Sequence, residues 1–280
     1  MIRINEKLDV FYSDNSVFYD LSDELVDYSR RVVDVEIISA EDKIFIGFYK
    51  PINVFYTQID VPNINASKMA LKYYNGVSYE PVPRFYDDTE GFKRSGFVRF
   101  DRNIEDQEKS TVNGVEQYWY ELTLNSDSSA MVVNGLNIVF SDDQDLKREL
   151  YEIEKFLPVG VNSHILSHVS ARDEIIQELR ADGRYKKDFS TGKLKDITAF
   201  DLLDISQVNT ASKYLTLSKI LFSVSDNPED FYSVKANHYR GLYNKSMKTF
   251  YLSVDVDDDG KVDNSENMAS NNGGLVRRWV

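Results

Sequence analysis

The sequence predicts an α+β protein with an N-terminal β-sandwich domain over residues 1–140 and a C-terminal α-helical bundle domain over residues 141–280. The length of 280 residues favours two domains, because an average domain has about 100–200 residues. The first half contains short runs of β-branched and aromatic residues, whereas the apolar residues of the second half recur at intervals of three and four positions. The change of period near Ser141 places the predicted boundary.

The runs in the first half predict about seven strands separated by polar turns, a pattern typical of a sandwich. The strongest local signal is Asn75 followed by Gly76, which stands between two aromatic runs. This pair predicts a type I′ hairpin turn with both residues at positive φ. The predicted strands cover residues 32–38, 43–49, 54–61, 71–79 (as a hairpin), 95–100, 117–124 and 135–140.

The second half predicts helices that start and stop at recognisable signals. An acidic first turn begins a helix over residues 142–156, and Pro158 and Gly160 end it. The basic stretch 184–195 is predicted to be an exposed loop, and residues 252–280 are predicted to carry a terminal acidic hairpin. The other predicted helices cover residues 163–180, 196–224 (as one long or two broken helices) and 230–250.

Composition excludes several classes of function. The chain has no cysteine, which excludes disulfide scaffolds, thiol catalysis and iron–sulfur clusters. Its net charge is −13, divided as −9 for the first half and −4 for the second, so neither half offers the basic surface that nucleic-acid binding needs. The sequence contains no apolar run near the roughly 20 residues of a membrane span. The N-terminus lacks the pattern of a signal peptide, so a cytosol-like compartment is expected.

Residues 255–266 match the twelve-position calcium loop of an EF-hand. Calcium takes six to eight oxygen ligands, and Gly260 stands where such a loop must turn sharply. Six acidic side chains and Lys261 give the segment a charge of −5. Because no good helix follows and no second loop pairs with it, a hairpin turn without metal is the alternative. The predicted Ca²⁺ ligands are Asp255, Asp257, Asp259, the carbonyl of Lys261, Asp263 and Glu266.

No other motif predicts chemistry. His164 and His168 have a spacing that can hold a transition metal, but no third ligand accompanies them, so they predict a pair on a helix surface. The sequence contains no phosphate-binding loop, nucleophile elbow or kinase signature, and we expect the protein not to be an enzyme. Aromatic residues on the predicted strands are typical of core packing, with a sugar-stacking platform as the alternative. They are Tyr73, Tyr74, Tyr79, Phe85, Tyr118, Trp119 and Tyr120.

Two stretches resemble structural proteins of tailed bacteriophages. Residues 73–82, 92–100 and 118–122 resemble a β-sandwich module of phage neck and baseplate proteins. In that module an aromatic–Asn/Asp–Gly–aromatic hairpin precedes a Ser-Gly strand and a Tyr-Trp strand, and this chain has Tyr79 where Trp is common. Residues 201–280 are similar to head–tail connector (adaptor) proteins, helical proteins that form a ring beneath the portal. The similar segments are residues 201–204, 211–220, 223–236, 239–243 and the acidic hairpin around Gly260.

The resemblance implies a virion structural protein of the head–tail junction, made in the host cytoplasm. Its helical domain would form a homo-oligomeric ring, twelve-fold as in the family, and its sandwich would reach toward neighbouring proteins. The implied partners are its own copies, the portal protein and neck or tail proteins, with DNA passing through the lumen without specific binding and no membrane contact. The alternative is a carbohydrate-binding or tail-decoration module with a calcium loop.

Overall fold

The computed structural model describes residues 8–26, 33–35, 42–101, 104–182, 185–187, 194–248, 251–255 and 267–269. The chain is a mixed α+β protein, with antiparallel sheets in its N-terminal part and helices in its C-terminal part. It forms two compact units, Met1–Ile138 and Val139–Val280. We call them the sheet unit and the helical unit. The predicted α+β class, with sheet preceding helix along the chain, is confirmed.

The described residues of the sheet unit contain twelve strands and one short helix, α1 (Ser22–Val26). Strands predicted at residues 43–49, 54–61, 95–100 and 117–124 are confirmed to within two residues at each end. Residues 32 and 36–38 of the first predicted strand lie outside the described residues. The strands are β1 (Asp9–Asp14), β2 (Val17–Asp20), β3 (Val33–Val35), β4 (Lys43–Phe48), β5 (Val54–Val61), β6 (Met69–Tyr74), β7 (Tyr79–Pro81), β8 (Tyr86–Asp87), β9 (Gly96–Arg99), β10 (Ser110–Val112), β11 (Val115–Leu124) and β12 (Met131–Asn137).

These strands form two antiparallel sheets within the described part of the unit. One has the order β2-β1-β4-β11-β6-β7, with β10 added beside β11, and the other has the order β3-β12-β5-β9-β8. In the first sheet a row of four paired residues is buried: Val10, Ile46, Tyr120 and Tyr73. Since successive side chains point to opposite faces of a strand, this row lies on one face of the sheet.

The opposite face of the same sheet also buries apolar side chains. Phe11, Phe45 and Trp119 pack there with Val112 of β10, and the Phe11 and Trp119 ring centroids lie 5.2 Å apart. The β10–β11 hairpin therefore covers a second small core. A strand buried on both faces carries apolar residues without clean alternation, which accounts for the mixed pattern of β4.

The type I′ turn predicted at Asn75 and Gly76 is wrong. Gly76 has a φ of 87°, but Asn75 does not lie in the positive-φ region. The Asn75 Oδ1 atom instead accepts hydrogen bonds from the backbone N–H groups of Val77 at 3.0 Å and Ser78 at 2.8 Å. A short amide side chain that closes its own turn in this way removes the need for type I′ geometry.

Two other turns have both central residues at positive φ. Asn113 (47°) and Gly114 (82°) join β10 to β11, and Asn15 (48°) and Ser16 (72°) join β1 to β2. The first turn is an Asn-Gly pair, which is the sequence signal of a type I′ hairpin. Strands β1, β2 and β10 were not predicted because each is short or begins close to the N-terminus.

The helical unit contains four α-helices in its described residues, two 3₁₀ helices and two short antiparallel strand pairs. Residues 249–250 of the last predicted helix lie outside the described part of the chain. The α-helices are α2 (Asp143–Glu149), α3 (Ile165–Ala181), α4 (Ser206–Ser223) and α5 (Phe231–Met247). The 3₁₀ helices cover Tyr151–Phe156 and Ala199–Asp201, and the strands are β13 (Tyr185–Lys187), β14 (Leu194–Asp196), β15 (Tyr251–Ser253) and β16 (Asn267–Ala269).

Three predicted elements of this half are corrected. The helix predicted over residues 196–224 begins as an α-helix only at Ser206, because residue 196 ends β14 and residues 199–201 form a 3₁₀ helix. The first predicted helix divides at Leu150, whose extended backbone (φ −134°, ψ 92°) ends α2 before a 3₁₀ helix follows. The predicted exposed loop 184–195 is a strand pair at its two ends, β13 and β14, while residues 184 and 188–193 lie outside the described residues. Each of these strands has only three residues, which is too short for the sequence pattern to predict.

Helices α2, α4 and α5 and the first 3₁₀ helix share an apolar cluster, and a carboxylate of α3 contacts both α4 and α5. Glu174 of α3 contacts Lys219 of α4 at 2.6 Å and Arg240 of α5 at 2.6 Å. Burial opposes the charge on Glu174, but the hydrogen bonds from the two cations outweigh it and hold its pKa below the usual range. The cluster, which we call the helical core, consists of Leu146, Ile153, Leu217, Ile220, Leu221, Ala236 and Tyr239.

Candidate functional site

Of the six predicted calcium ligands, one lies within the described residues. Asp255 is described and fully buried, and its backbone N–H donates to the carbonyl of Asp201 at 2.8 Å. The calcium site stays a prediction. The other five predicted ligands, Asp257, Asp259, Lys261, Asp263 and Glu266, lie outside the described residues.

The two strands that flank the acidic segment help to distinguish a calcium loop from a hairpin turn without metal. Strands β15 and β16 pair antiparallel, from Tyr251 opposite Ala269 to Ser253 opposite Asn267. An EF-hand loop has a helix on each side, whereas paired strands on each side are the frame of a hairpin. The flanks therefore favour the hairpin over an EF-hand. Elsewhere in the described chain, no group of three or more His, Asp or Glu residues is placed to hold a metal ion.

The prediction that His164 and His168 form a pair on a helix surface is wrong, because both side chains are buried. His164 immediately precedes α3, and its Nε2 donates to the carbonyl of Ile153 at 3.1 Å. His168 lies on the first turn of α3 and contacts Ser141 Oγ through Nδ1 at 2.9 Å and Asp143 Oδ1 through Nε2 at 3.1 Å. The buried side of α3 faces these polar groups, which hydropathy alone does not predict.

Asp143, His168 and Ser141 are the residue types of an acyl-transfer triad, and the burial of Ser141 decides what they can do. Ser141 has no exposed surface, and its hydroxyl also contacts Ser212 Oγ of α4 at 2.8 Å. A nucleophile must reach a substrate carbonyl, and this hydroxyl is enclosed by protein. The arrangement is therefore a structural network that joins α2, α3 and α4.

Burial sets the electrostatics of this network. It lowers the pKa of His164 and raises the pKa of Asp142. Burial also opposes the charge on Asp143, but the hydrogen bond and the electrostatic interaction with His168 hold the Asp143 pKa below its usual range. The Asp143 side chain is 32% exposed, so its carboxylate is only half-buried and is stabilised by water as well as by these partners.

The helical unit exposes aromatic side chains where α5 begins. Phe231 is 70% exposed and Tyr232 is 36% exposed. The Tyr232 ring centroid lies 5.6 Å from that of Phe231 and 5.4 Å from that of Phe156, and Phe156 packs against the helical core. We call Phe156, Phe231 and Tyr232 the aromatic end.

The start of α5 holds the aromatic end in place. Asp230 caps the helix, with its carboxylate accepting from the backbone N–H groups of Ser233 at 2.6 Å and Asp226 at 2.8 Å. These hydrogen bonds lower the Asp230 pKa and fix the first helical turn. Phe231 therefore occupies the first position of the helix, where its side chain extends away from the packed face.

Aromatic residues on and near the strands differ in how far they are buried. Tyr73, Trp119 and Tyr120 are buried, so the core-packing interpretation is confirmed for them and they cannot stack on a sugar. Tyr86 is 62% exposed and lines an open cleft with Arg84 and Arg99. Tyr86 is not among the aromatic residues selected from the sequence, although Arg84, Phe85, Tyr86, Asp87 and Asp88 combine aromatic and charged side chains in one short segment.

No protein-family model matches the chain, and no curated protein or solved structure matches it either. Within the described residues, no helix is both long and apolar enough to cross a bilayer.

Proposed function

We propose that this protein is a structural subunit of the head–tail connector of a tailed bacteriophage and assembles into a homo-oligomeric ring that links portal to tail. The aromatic end of the helical unit is the observation that carries the proposal. The likeness of residues 201–280 to connector proteins is independent support. In this proposal the helices form a bundle and the two sheets form a sandwich.

The exposure of the aromatic end supports assembly because apolar surface of this kind marks interaction sites. Phe231 and Tyr232 are aromatic residues, the type most enriched at the centres of interfaces. Their rings continue through Phe156 into the helical core, so a partner that covers them would extend an existing core. Val234 on the same helix is a further exposed apolar residue, at 60%.

The charge of the chain also agrees with a ring through which DNA passes. A surface with net charge −13 repels phosphates, so DNA slides without sticking. The helical half carries −4 and the sheet half −9, so copies that touch through their helical halves repel one another less. Contacts that repeat head to tail close into a ring when the rotation between copies permits.

The packing of the sheet unit supports the sandwich part of the proposal. The hydroxyl of Tyr120, on β11 of the first sheet, donates to the carbonyl of Ile52 at 2.9 Å, just before β5 of the second sheet. The Tyr120 ring lies 5.0 Å from that of Phe100, which follows β9 of the second sheet. A side chain of the first sheet therefore contacts segments next to two strands of the second sheet, which supports a core between the sheets as in sandwiches.

Replacement of Phe231 tests the ring. Phe231→Asp places a charge on a side chain that is already exposed, so it leaves the fold stable but makes burial of that surface between copies unfavourable. We expect mass photometry and negative-stain microscopy to show rings for the wild type, alone or with portal protein, and smaller species for Phe231→Asp. Val77→Asp, at a position 88% exposed in the sheet unit, is the matched control and should assemble as the wild type does. A wild type that remains monomeric at high concentration with portal present contradicts the proposal.

A further inference from the structure

An open cleft of about 410 Å³ lies in the sheet unit, beside the edge strand β8. This volume is near the lower end of the range for small-molecule sites, roughly 300–1,000 Å³. The lining combines an exposed aromatic ring, a buried one and two pairs of opposite charges. The residues are Tyr86, Phe100, Arg84, Asp101, Arg99 and Asp88.

Strand pairing brings the central residues of the cleft together. Tyr86 of β8 lies directly opposite Arg99 of β9, and side chains at such positions are neighbours, with Cβ atoms about 4.5–5.5 Å apart. Asp88 follows two residues after Tyr86, and its Oδ2 contacts Arg99 Nη2 at 2.9 Å. One ring, one cation and one carboxylate therefore stand side by side at the sheet edge.

Neighbouring groups hold these side chains in position. The Arg99 guanidinium lies 5.0 Å from the centroid of the buried Phe97 ring. The Asp87 carboxylate accepts from Thr89 and Gly91 N–H groups, both at 2.8 Å, and so closes the turn that follows Asp88. A site whose side chains are held before the ligand arrives loses less conformational freedom on binding.

The balance of charges determines the class of ligand. Arg84 and Arg99 are offset by Asp88 and Asp101, and the ion pairs measure 2.9 Å for Asp88–Arg99 and 3.9 Å for Arg84–Asp101. The cleft therefore has no net charge to attract a phosphate or a cation. Guanidinium groups donate and carboxylates accept hydrogen bonds, and a sugar hydroxyl does both.

We infer that this cleft binds a neutral saccharide, with the Tyr86 ring against the apolar face of a pyranose and with Asp88 and Arg99 bonded to its hydroxyl groups. Aromatic rings have an apolar face suited to the C–H groups of a sugar. Hydrogen bonds to charged groups are stronger than those between neutral groups. The inference goes beyond the proposed ring and does not depend on it, because every residue involved belongs to the sheet unit.

Saturation-transfer NMR on the full chain tests the site, with glucose, galactose and N-acetylglucosamine as separate probes and inorganic phosphate as a further one. We expect transfer to the ring protons of at least one sugar. Tyr86→Ala should weaken that binding by about tenfold or more, since the loss of one stacking contact of about 1.4 kcal/mol changes affinity tenfold. Tyr86→Phe keeps the ring and should bind as the wild type does.

Tyr19→Ala is the matched control, because Tyr19 is a 48% exposed tyrosine on β2, at the edge of the other sheet. Its sugar binding should be unchanged, and the thermal unfolding of each variant shows whether the fold is kept. The absence of transfer to every sugar overturns the inference, as does equal binding by Tyr86→Ala and the wild type. Chemical-shift changes at Tyr86 with phosphate alone also overturn it and identify an anion site.

Discussion

At the scale of single residues, the buried polar groups are the features that the hydropathy pattern predicts least well. Tyr120 is fully buried, yet its hydroxyl accepts from the Ile52 N–H at 3.1 Å and donates to the Ile52 carbonyl at 2.9 Å. Buried polar groups of the backbone need such partners. One hydroxyl on β11 thus satisfies both backbone groups of a residue in a connecting segment.

Tyr120→Phe tests the importance of this hydroxyl. The substitution removes the hydroxyl that bonds to the Ile52 N–H and carbonyl. We therefore expect the free energy of unfolding of the sheet unit to fall by about 1–3 kcal/mol. Urea unfolding followed by tyrosine and tryptophan fluorescence measures the change. Tyr86→Phe removes an exposed hydroxyl and should change the free energy by less than about 0.5 kcal/mol. Equal effects of the two substitutions would show that the Ile52 contacts contribute nothing.

His164 makes the stability of the helical unit depend on pH. Burial lowers the His164 pKa, against opposing contributions from the Ile153 carbonyl and Asp143. The unfolded chain takes up a proton near pH 6.5, about the ordinary pKa of histidine, whereas the folded chain resists it. The contribution of His164 to stability is therefore present above that pH and is lost as the pH falls toward the lower folded pKa.

His164→Gln should reduce this pH dependence, because the glutamine amide can still donate to the Ile153 carbonyl but does not titrate. Urea unfolding followed by circular dichroism, at about pH 7.5 and about pH 5.5, brackets the histidine titration and stays above that of ordinary carboxylates. The loss of stability between the two pH values should be smaller in the variant than in the wild type. A variant with the same loss would assign the effect to other groups.

At the scale of elements, turns and caps decide where strands and helices end. Gly114 has a φ of 82° and open space around its Cα, whereas Gly241 lies inside α5 at an ordinary φ with open space as well. The same substitution should therefore have opposite effects at the two positions. A side chain in the left-handed region is strained, but alanine inside a helix is favoured over glycine.

Gly114→Ala should destabilise the sheet unit by about 1–2 kcal/mol, and Gly241→Ala should stabilise the helical unit by about 1 kcal/mol. Differential scanning calorimetry of each variant beside the wild type measures both shifts. Two shifts of the same sign would contradict either the left-handed backbone of Gly114 or the helical backbone of Gly241.

At the scale of the whole molecule, the segment where the two units meet in sequence is well protected. Ser141 is fully buried, and the Asp142 carboxylate caps α2 by accepting from the Asp145 N–H at 2.9 Å. The loop after the first 3₁₀ helix is more accessible, with Val159 fully exposed and Val161 45% exposed. Proteases need exposed backbone that can leave its hydrogen bonds.

Limited digestion with thermolysin should therefore cut at Val159 or Val161 before it cuts at residues 141–144. The sequence alone predicts cleavage near residues 141–144 or in the basic stretch 184–195, where exposed backbone is expected. The burial of Ser141 and the cap of α2 argue against the first of these sites. Mass spectrometry of early fragments identifies the site. A first cut at residues 141–144 would show that the capped start of α2 opens more readily than its hydrogen bonds indicate.

Sequence patterns alone were sufficient to predict the α+β class and the strands β4, β5, β9 and β11. They were also sufficient for α3 and α5, to within a few residues. Period and composition report which faces of an element are apolar, and this is a local property of the chain. The net charge and the lack of cysteine, which exclude whole classes of function, are likewise independent of the fold.

Only the tertiary structure decided which polar and aromatic residues are buried. His164 and His168 have the spacing of a surface pair but are enclosed by Asp143, Ser141 and the Ile153 carbonyl. Trp119 and Tyr86 are both aromatic residues on strands, but one is fully buried and the other is 62% exposed. Burial depends on which distant segments pack over a residue, and those contacts come from parts of the chain that the local pattern does not contain.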